Sequence, residues 1–287
     1  MSASSSDFPV SPERFVCASW LADHLNDNNI TLIDARMLPP GNTTRDINAE
    51  YRAGHLPGAV FFDIEALSDH NTDLPHMMPT CEDFARNMGA LGIADQQHLV
   101  IYDEGDLFSA PRAWWMLHTF GASTISILSG GLAGWKALNL PLEQGHITRK
   151  PVTFHATLDS TVIRSRDDVI SICRDKSEQI VDARPAPRFN AEVDEPRPGL
   201  RRGHIPGSIN VPWTDLVNNG ALKPNAELAT ILHKHGVDFT RPIVASCGSG
   251  VTASVVVLAL TQLNIPNVTL YDGSWSDWGS RDDVPMA

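Results

Sequence analysis

Apolar and polar positions fall in the same order twice along this chain. Early on, "ASWLADHLND" (residues 18–27) carries apolar positions at helical spacing, and the run ending in "LIDAR" (Leu32–Arg36) reads as a strand. "SRDDVISICRD" (residues 165–175) and "IVDAR" (Ile180–Arg184) repeat that pair. Phe84, Met88 and Leu91 mark one helix face, and Leu228, Ile231 and Leu232 mark its counterpart. Thr80 with Asp83, and Ser165 with Asp168, have the capping-box pattern that starts a helix. Each half then gives an apolar strand, "HLVIYD" or "RPIVAS", followed by a loop, a helix and another strand. Strands alternating with helices predict an α/β fold, a central parallel sheet with helices on both faces.

Other landmarks recur with the strands. "GHLPGAV" at Gly54 returns as "GHIPGSI" at Gly203, and "ISILSGGLAGW", ending at Trp135, returns as "VTLYDGSWSDW", ending at Trp278. The offsets are 148 residues for Asp34 to Asp182, 149 for Gly54 to Gly203 and 143 for Trp135 to Trp278. Offsets this steady mean two copies of one domain, since solenoid periods run only about 20 to 50 residues. The polar stretch "EQGHITRKPVTFHATLDS" between the copies reads as a linker. The expected organisation is a domain over residues 13–143, a linker over 144–160 and a second domain over 161–287.

Composition narrows the class. A hydrophobic fraction of 42% with 20% charged residues is that of a globular protein. A net charge of −12 argues against a general nucleic-acid binder or a protein held on anionic membranes. The opening "MSASSSDFPVSPERF" lacks the basic and apolar regions of a secretory signal, and no run is apolar for long enough to span a bilayer. Four scattered cysteines, Cys17, Cys81, Cys173 and Cys247, form no C-x-x-C pair, so neither a zinc ribbon nor a disulfide framework is indicated. The expectation is a cytoplasmic protein.

The copies differ at one loop. Aligning "LVIYD" with "IVASC" sets Asp103 opposite Cys247, so the first copy is read as the supporting half. After Cys247 comes "GSGVTA", between an apolar strand and an apolar helix starting at about Thr252. Gly248 and Gly250 can adopt positive φ, which turns successive amides toward one point. The helix start adds free amides and the positive end of its dipole. A sulfur set over such a loop is favoured as an anion, and so is any sulfur attached to it. Cys17, Cys81 and Cys173, on helical patterns or helix starts, are read as inert.

Three other readings compete for this loop. "GSGVTA" with Asp272, 22 residues beyond Gly250, fits a dinucleotide fingerprint. Only 15 residues remain after Asp272, however, and the first copy has "DEGDLF" in the same place. A cysteine phosphatase would need an arginine where Ala253 stands. A binding module without chemistry would have no use for Cys247.

Two copies carrying "DAR", "GHxPG" and a closing "GGxxxW"-like turn resemble the two-domain rhodanese-type sulfurtransferases over essentially the whole chain. The loop "CGSGVTA" is similar to that of members taking sulfur from 3-mercaptopyruvate. Thiosulfate-preferring members carry basic residues after the cysteine, where Gly248 and Ser249 stand here. The resemblance implies that Cys247 takes sulfur as a persulfide held by the amides of Gly248, Ser249, Gly250, Val251 and Thr252. It implies release of pyruvate and transfer onward to a thiol, cyanide or thioredoxin, with no metal or organic cofactor. Thiosulfate as the preferred donor is the alternative. It also assigns Arg188 and Arg197, in the segment from Arg184 to Arg202 that holds five arginines against three acids, to the donor carboxylate. A relay of Asp63, His76 and Ser249 is a further implication. Arg36, Arg184, His55 and His204 recur in both copies and are read as structural, and Arg201 and Arg202 as surface ion pairs.

Overall fold

A computed structural model describes residues 14–287. The expected first-domain start at residue 13, and most of the opening stretch read for a signal, lie outside the described residues. The first half contains strands β1 (Phe15–Val16), β2 (Ile30–Asp34), β3 (Val60–Phe61), β4 (His98–Tyr102) and β5 (Thr124–Leu128). Its helices are α1 (Ala18–His24), α2 (Ile47–Ala53), α3 (Cys81–Ala90), α4 (Ala110–Thr119) and α5 (Gly131–Ala137). The second half contains β6 (Ile163–Arg164), β7 (Gln179–Asp182), β8 (Ile209–Asn210), β9 (Val217–Asn218), β10 (Ala221–Leu222), β11 (Ile243–Ser246) and β12 (Val268–Tyr271). Its helices are α6 (Arg166–Asp175), α7 (Ala186–Phe189), α8 (Asn225–Lys234), α9 (Ala253–Gln262) and α10 (Ser274–Trp278).

Each half builds a five-stranded sheet, in the orders β1-β5-β4-β2-β3 and β6-β12-β11-β7-β8, and every pairing in both is parallel. The orders match position for position. The strands are buried on both faces: Leu99 and Ile101 of β4 face one apolar cluster, Val100 and Tyr102 another. The inner faces of both sheets share a single core, and α4 and α9 run through it. That explains why α9, "ASVVVLALTQ", is apolar all round and why its first eight residues are buried. Among the described residues no helix is long and apolar enough to cross a membrane.

The repeated motifs are one device. In "DAR", Arg36 chelates Asp34 at 2.7–3.0 Å and its far nitrogen donates to the carbonyl of Gly54, the first residue of "GHLPG", at 3.1 Å. Arg184 repeats this on Asp182 and on the carbonyl of Gly203 at 2.9 Å. A buried bidentate pair with a third acceptor fixes one strand end against one turn.

The polar segment between the halves is strapped down. Phe154 is buried edge-on to Phe84, and the amides of Thr157 and Asp159 donate to the carbonyls of Phe120 and Thr119. A hairpin of β9 and β10 reaches from the second half to the first, where the amide of Gly130 donates to the Gly220 carbonyl at 3.1 Å. A Cβ on Gly220 (φ +68°) would lie 2.4 Å from the Gly105 carbonyl, so only glycine fits this contact.

Candidate active site

Cys247 follows the C-terminal end of β11, where open α/β sheets place their ligand crevices. Its loop is tied to the first turn of α10. The buried Ser274 hydroxyl accepts the amides of Cys247 (3.1 Å) and Gly250 (3.2 Å) and donates to the Tyr271 carbonyl (2.8 Å). The Ser276 amide and hydroxyl both donate to the Gly248 carbonyl, at 2.8 and 2.7 Å. With the Cys247 and Gly248 carbonyls turned to α10, the amides of Gly248, Ser249, Val251 and Thr252 have no protein acceptor among the described residues. Gly250 departs from the expected cradle, because its amide already serves Ser274.

The thiol is 1% exposed and forms part of the wall of a cavity of about 280 Å³. Both halves line it: Asp106, Phe108 and His76 from the first, Arg188, Arg197 and Trp213 from the second. The two arginines differ. Arg188 is held by Glu195, which also pairs with Arg184 at 2.8 Å. Arg197 has no carboxylate within ion-pair distance among the described residues. Burial draws its guanidinium below the ordinary value, offset by the nearby Cys247 sulfur and Glu65.

His76 bonds Ser249 Oγ through Nδ1 at 2.9 Å and Glu65 through Nε2 at 2.7 Å. A carboxylate only accepts, so Nε2 carries a proton; in the neutral ring Nδ1 is then bare and the Ser249 hydroxyl donates to it. The His76 bond holds the Glu65 carboxyl below the ordinary carboxylate range. The expected acid, Asp63, does not bond His76: its carboxylate accepts the amide of Ala66 at 3.2 Å and closes a turn. Both acids lie two residues apart in "FFDIEAL", and only the fold separates their directions.

Other assignments also change. Asp272, the acid of the dinucleotide pattern, accepts the amide of Met78 at 2.7 Å and faces Arg112. Arg202 does pair with Asp194, but Arg201 donates to the carbonyls of Trp278 and Gly279. Cys17 is exposed rather than packed away, and the Ser19 hydroxyl draws its thiol below the ordinary value. Asp103, opposite Cys247 in the repeat, is buried and accepts the amides of Gly105, Ser109 and Ala110 at 3.0–3.1 Å. The first half therefore has the same amide loop closed on its own carboxylate, which burial and Asp106 raise to about 6.

Matched parallel sheets, one of them ending in a cysteine beside unpartnered amides, define the class of two-domain sulfurtransferases. The chain belongs to the rhodanese family: the rhodanese-like domain matches residues 18–138 and 165–281. It is 57% identical over 277 residues to the 3-mercaptopyruvate sulfurtransferase of Escherichia coli (strain K12), covering 96% of this chain and 99% of that protein. It is 40% identical over 273 residues to the enzyme of the same name from Homo sapiens, covering 93% and 92%. The crystal structure of SseA from Escherichia coli superposes with a TM-score of 0.86 at 55% identity, over 91% of this chain and 98% of that one.

Proposed function

We propose that this enzyme moves sulfur from 3-mercaptopyruvate to a thiol acceptor through a persulfide on Cys247. The single observation that carries the reading is the thiol itself, in the cavity wall beside the four amides of Gly248, Ser249, Val251 and Thr252 that lack acceptors. The Cys247 thiolate attacks the donor sulfur, the S–S bond forms, and the donor's C–S bond breaks. The electron pair passes to carbon as the enolate of pyruvate, which takes a proton delivered through Ser249 and His76, with Glu65 holding the ring. The four amides hold the persulfide anion. An acceptor thiolate, cyanide or reduced thioredoxin then attacks the outer sulfur and returns the Cys247 thiolate.

Arg197 meets the donor carboxylate with its planar fork, and Arg188 completes the grip from its seat on Glu195. Thiosulfate is the second donor. Gly248 and Ser249 supply no side-chain charge for a dianion, and Asp106 on the same cavity wall opposes one. We assign the domains to residues 13–143 and 161–287, joined by 144–160, and the enzyme to the cytoplasm, in keeping with four free cysteines. The test is a side-by-side assay of the two donors with mass spectrometry of Cys247. The expected result is one added sulfur atom, a higher kcat/KM with mercaptopyruvate, and no transfer by Cys247→Ser at unchanged circular dichroism. Retained activity in that variant would overturn the assignment.

A further inference from the structure

Arg112 is a charged residue in α4, "APRAWWMLHT", apolar apart from it as far as Leu117, and its side chain is 0% exposed. A guanidinium out of water costs several kcal/mol unless its partners are well placed. Its guanidinium carbon stands 4.8 Å over the Trp115 ring of the same helix, and its polar partners lie beside the candidate active site. It donates to the His76 carbonyl and, at 3.5 Å, to the Gly250 carbonyl, and it stands 2.8 Å from Asp272. The other Asp272 oxygen accepts the amide of Met78 at 2.7 Å. A cation on the carbonyl of residue 76 and an anion on the amide of residue 78 thus grip one short segment.

Two backbone conformations depend on that grip. His76 has φ +61°, a left-handed conformation that costs a non-glycine residue about 1 kcal/mol. Gly250 has φ +78°, and a Cβ there would lie 2.8 Å from an Arg112 nitrogen, so the cysteine loop sits directly against the guanidinium. The pair is not arranged for its own best bonding: Arg112 Nε and Asp272 Oδ1 have no hydrogen-bond partner, although the charges touch. The two loops set its geometry.

We infer that Arg112 and Asp272 are positioning residues that hold His76 against Ser249. One guanidinium binds the backbone of the relay histidine and that of the residue after its serine partner, so it fixes the separation of the two. This rests on the reading of His76 and Ser249 given above. It also adds Arg112 to His76 and Glu65 as a contribution of the first half to the site.

The experiment places Arg112→Lys, which keeps the charge but loses the fork, in the otherwise unaltered enzyme and in a His76→Gln background. Pyruvate release is measured in both, with nitrogen NMR of the His76 ring. The expected kcat loss is about tenfold in the first background, with KM within about twofold, and under about twofold in the second, because the two changes act on one unit. The hydrogen-bonded His76 signal should be lost. An unchanged ring signal, an equal loss in both backgrounds, or a loss confined to KM would overturn the inference. If Arg112→Lys fails to fold, Asp272→Asn is judged by the same measurements. An unaltered enzyme that released no pyruvate would sink the sulfur-transfer reading instead, and the ring signal would still decide the pair.

Discussion

Replacing Ser274 separates the anchoring of the cysteine loop from ordinary helix preferences. Its hydroxyl accepts two buried amides, those of Cys247 and Gly250, and Ser274 itself has φ +48° at the first residue of α10. Ser274→Ala leaves both amides without an acceptor, at about 1–3 kcal/mol each, so a loss of about 3 kcal/mol is expected. At this chain length that lowers Tm by about 6 °C. Ser274→Gly loses the same bonds but is relieved of the left-handed backbone cost, about 1 kcal/mol. The expected order of stability is therefore Ser, then Gly, then Ala, whereas helix propensity favours Ala over Gly by about 1 kcal/mol. Urea unfolding of the three proteins reads this directly, and sulfur transfer should fall in both variants as the loop loses its anchor. A Ser274→Ala protein as stable as Ser274→Gly, or more stable, would refute the reasoning.

Arg197→Gln should raise KM for mercaptopyruvate at least about tenfold, as expected for a lost charge-assisted pair, and more than Arg188→Gln does; steady-state kinetics of both variants decides it. Glu65→Gln should lower kcat several-fold while Asp63→Asn leaves it nearly unchanged, since only Glu65 bonds the His76 ring. Asp103 has a folded value of about 6 against an ordinary 3.8, so the proton it holds favours the fold below about pH 4 and that contribution is lost as pH rises through about 6. The stability of the unaltered protein relative to Asp103→Asn should therefore fall by about 2.4 kcal/mol between pH 4 and pH 7. Urea midpoints at a series of pH values test this, and a flat difference would count against it.

The long elements were legible because burial dictates their periodicity. The strands ending in Asp-Ala-Arg, the Ser165 capping box and the apolar α9 all lie where the pattern predicts. The two-residue strands β9 and β10 are too short to show a period, and the polar composition of the linker hides Phe154, which anchors it. The cysteine loop announces itself through its glycines, but what holds it does not. Ser274 is 27 residues from Cys247, and Arg112 is 138 residues from Gly250, with no local signal at either. Glu65 was hidden by a neighbouring acid of the same chemistry. Side-chain direction in an irregular turn follows from packing, and packing is not written in spacing.

The common core threaded by α4 and α9 has a consequence for whether the two copies can part. Lifting either copy away would bring a broad greasy seam into water, so neither can be shed or traded as a module. The half with Asp103 in place of the reactive thiol is bound to the other as permanently as a keel to its hull.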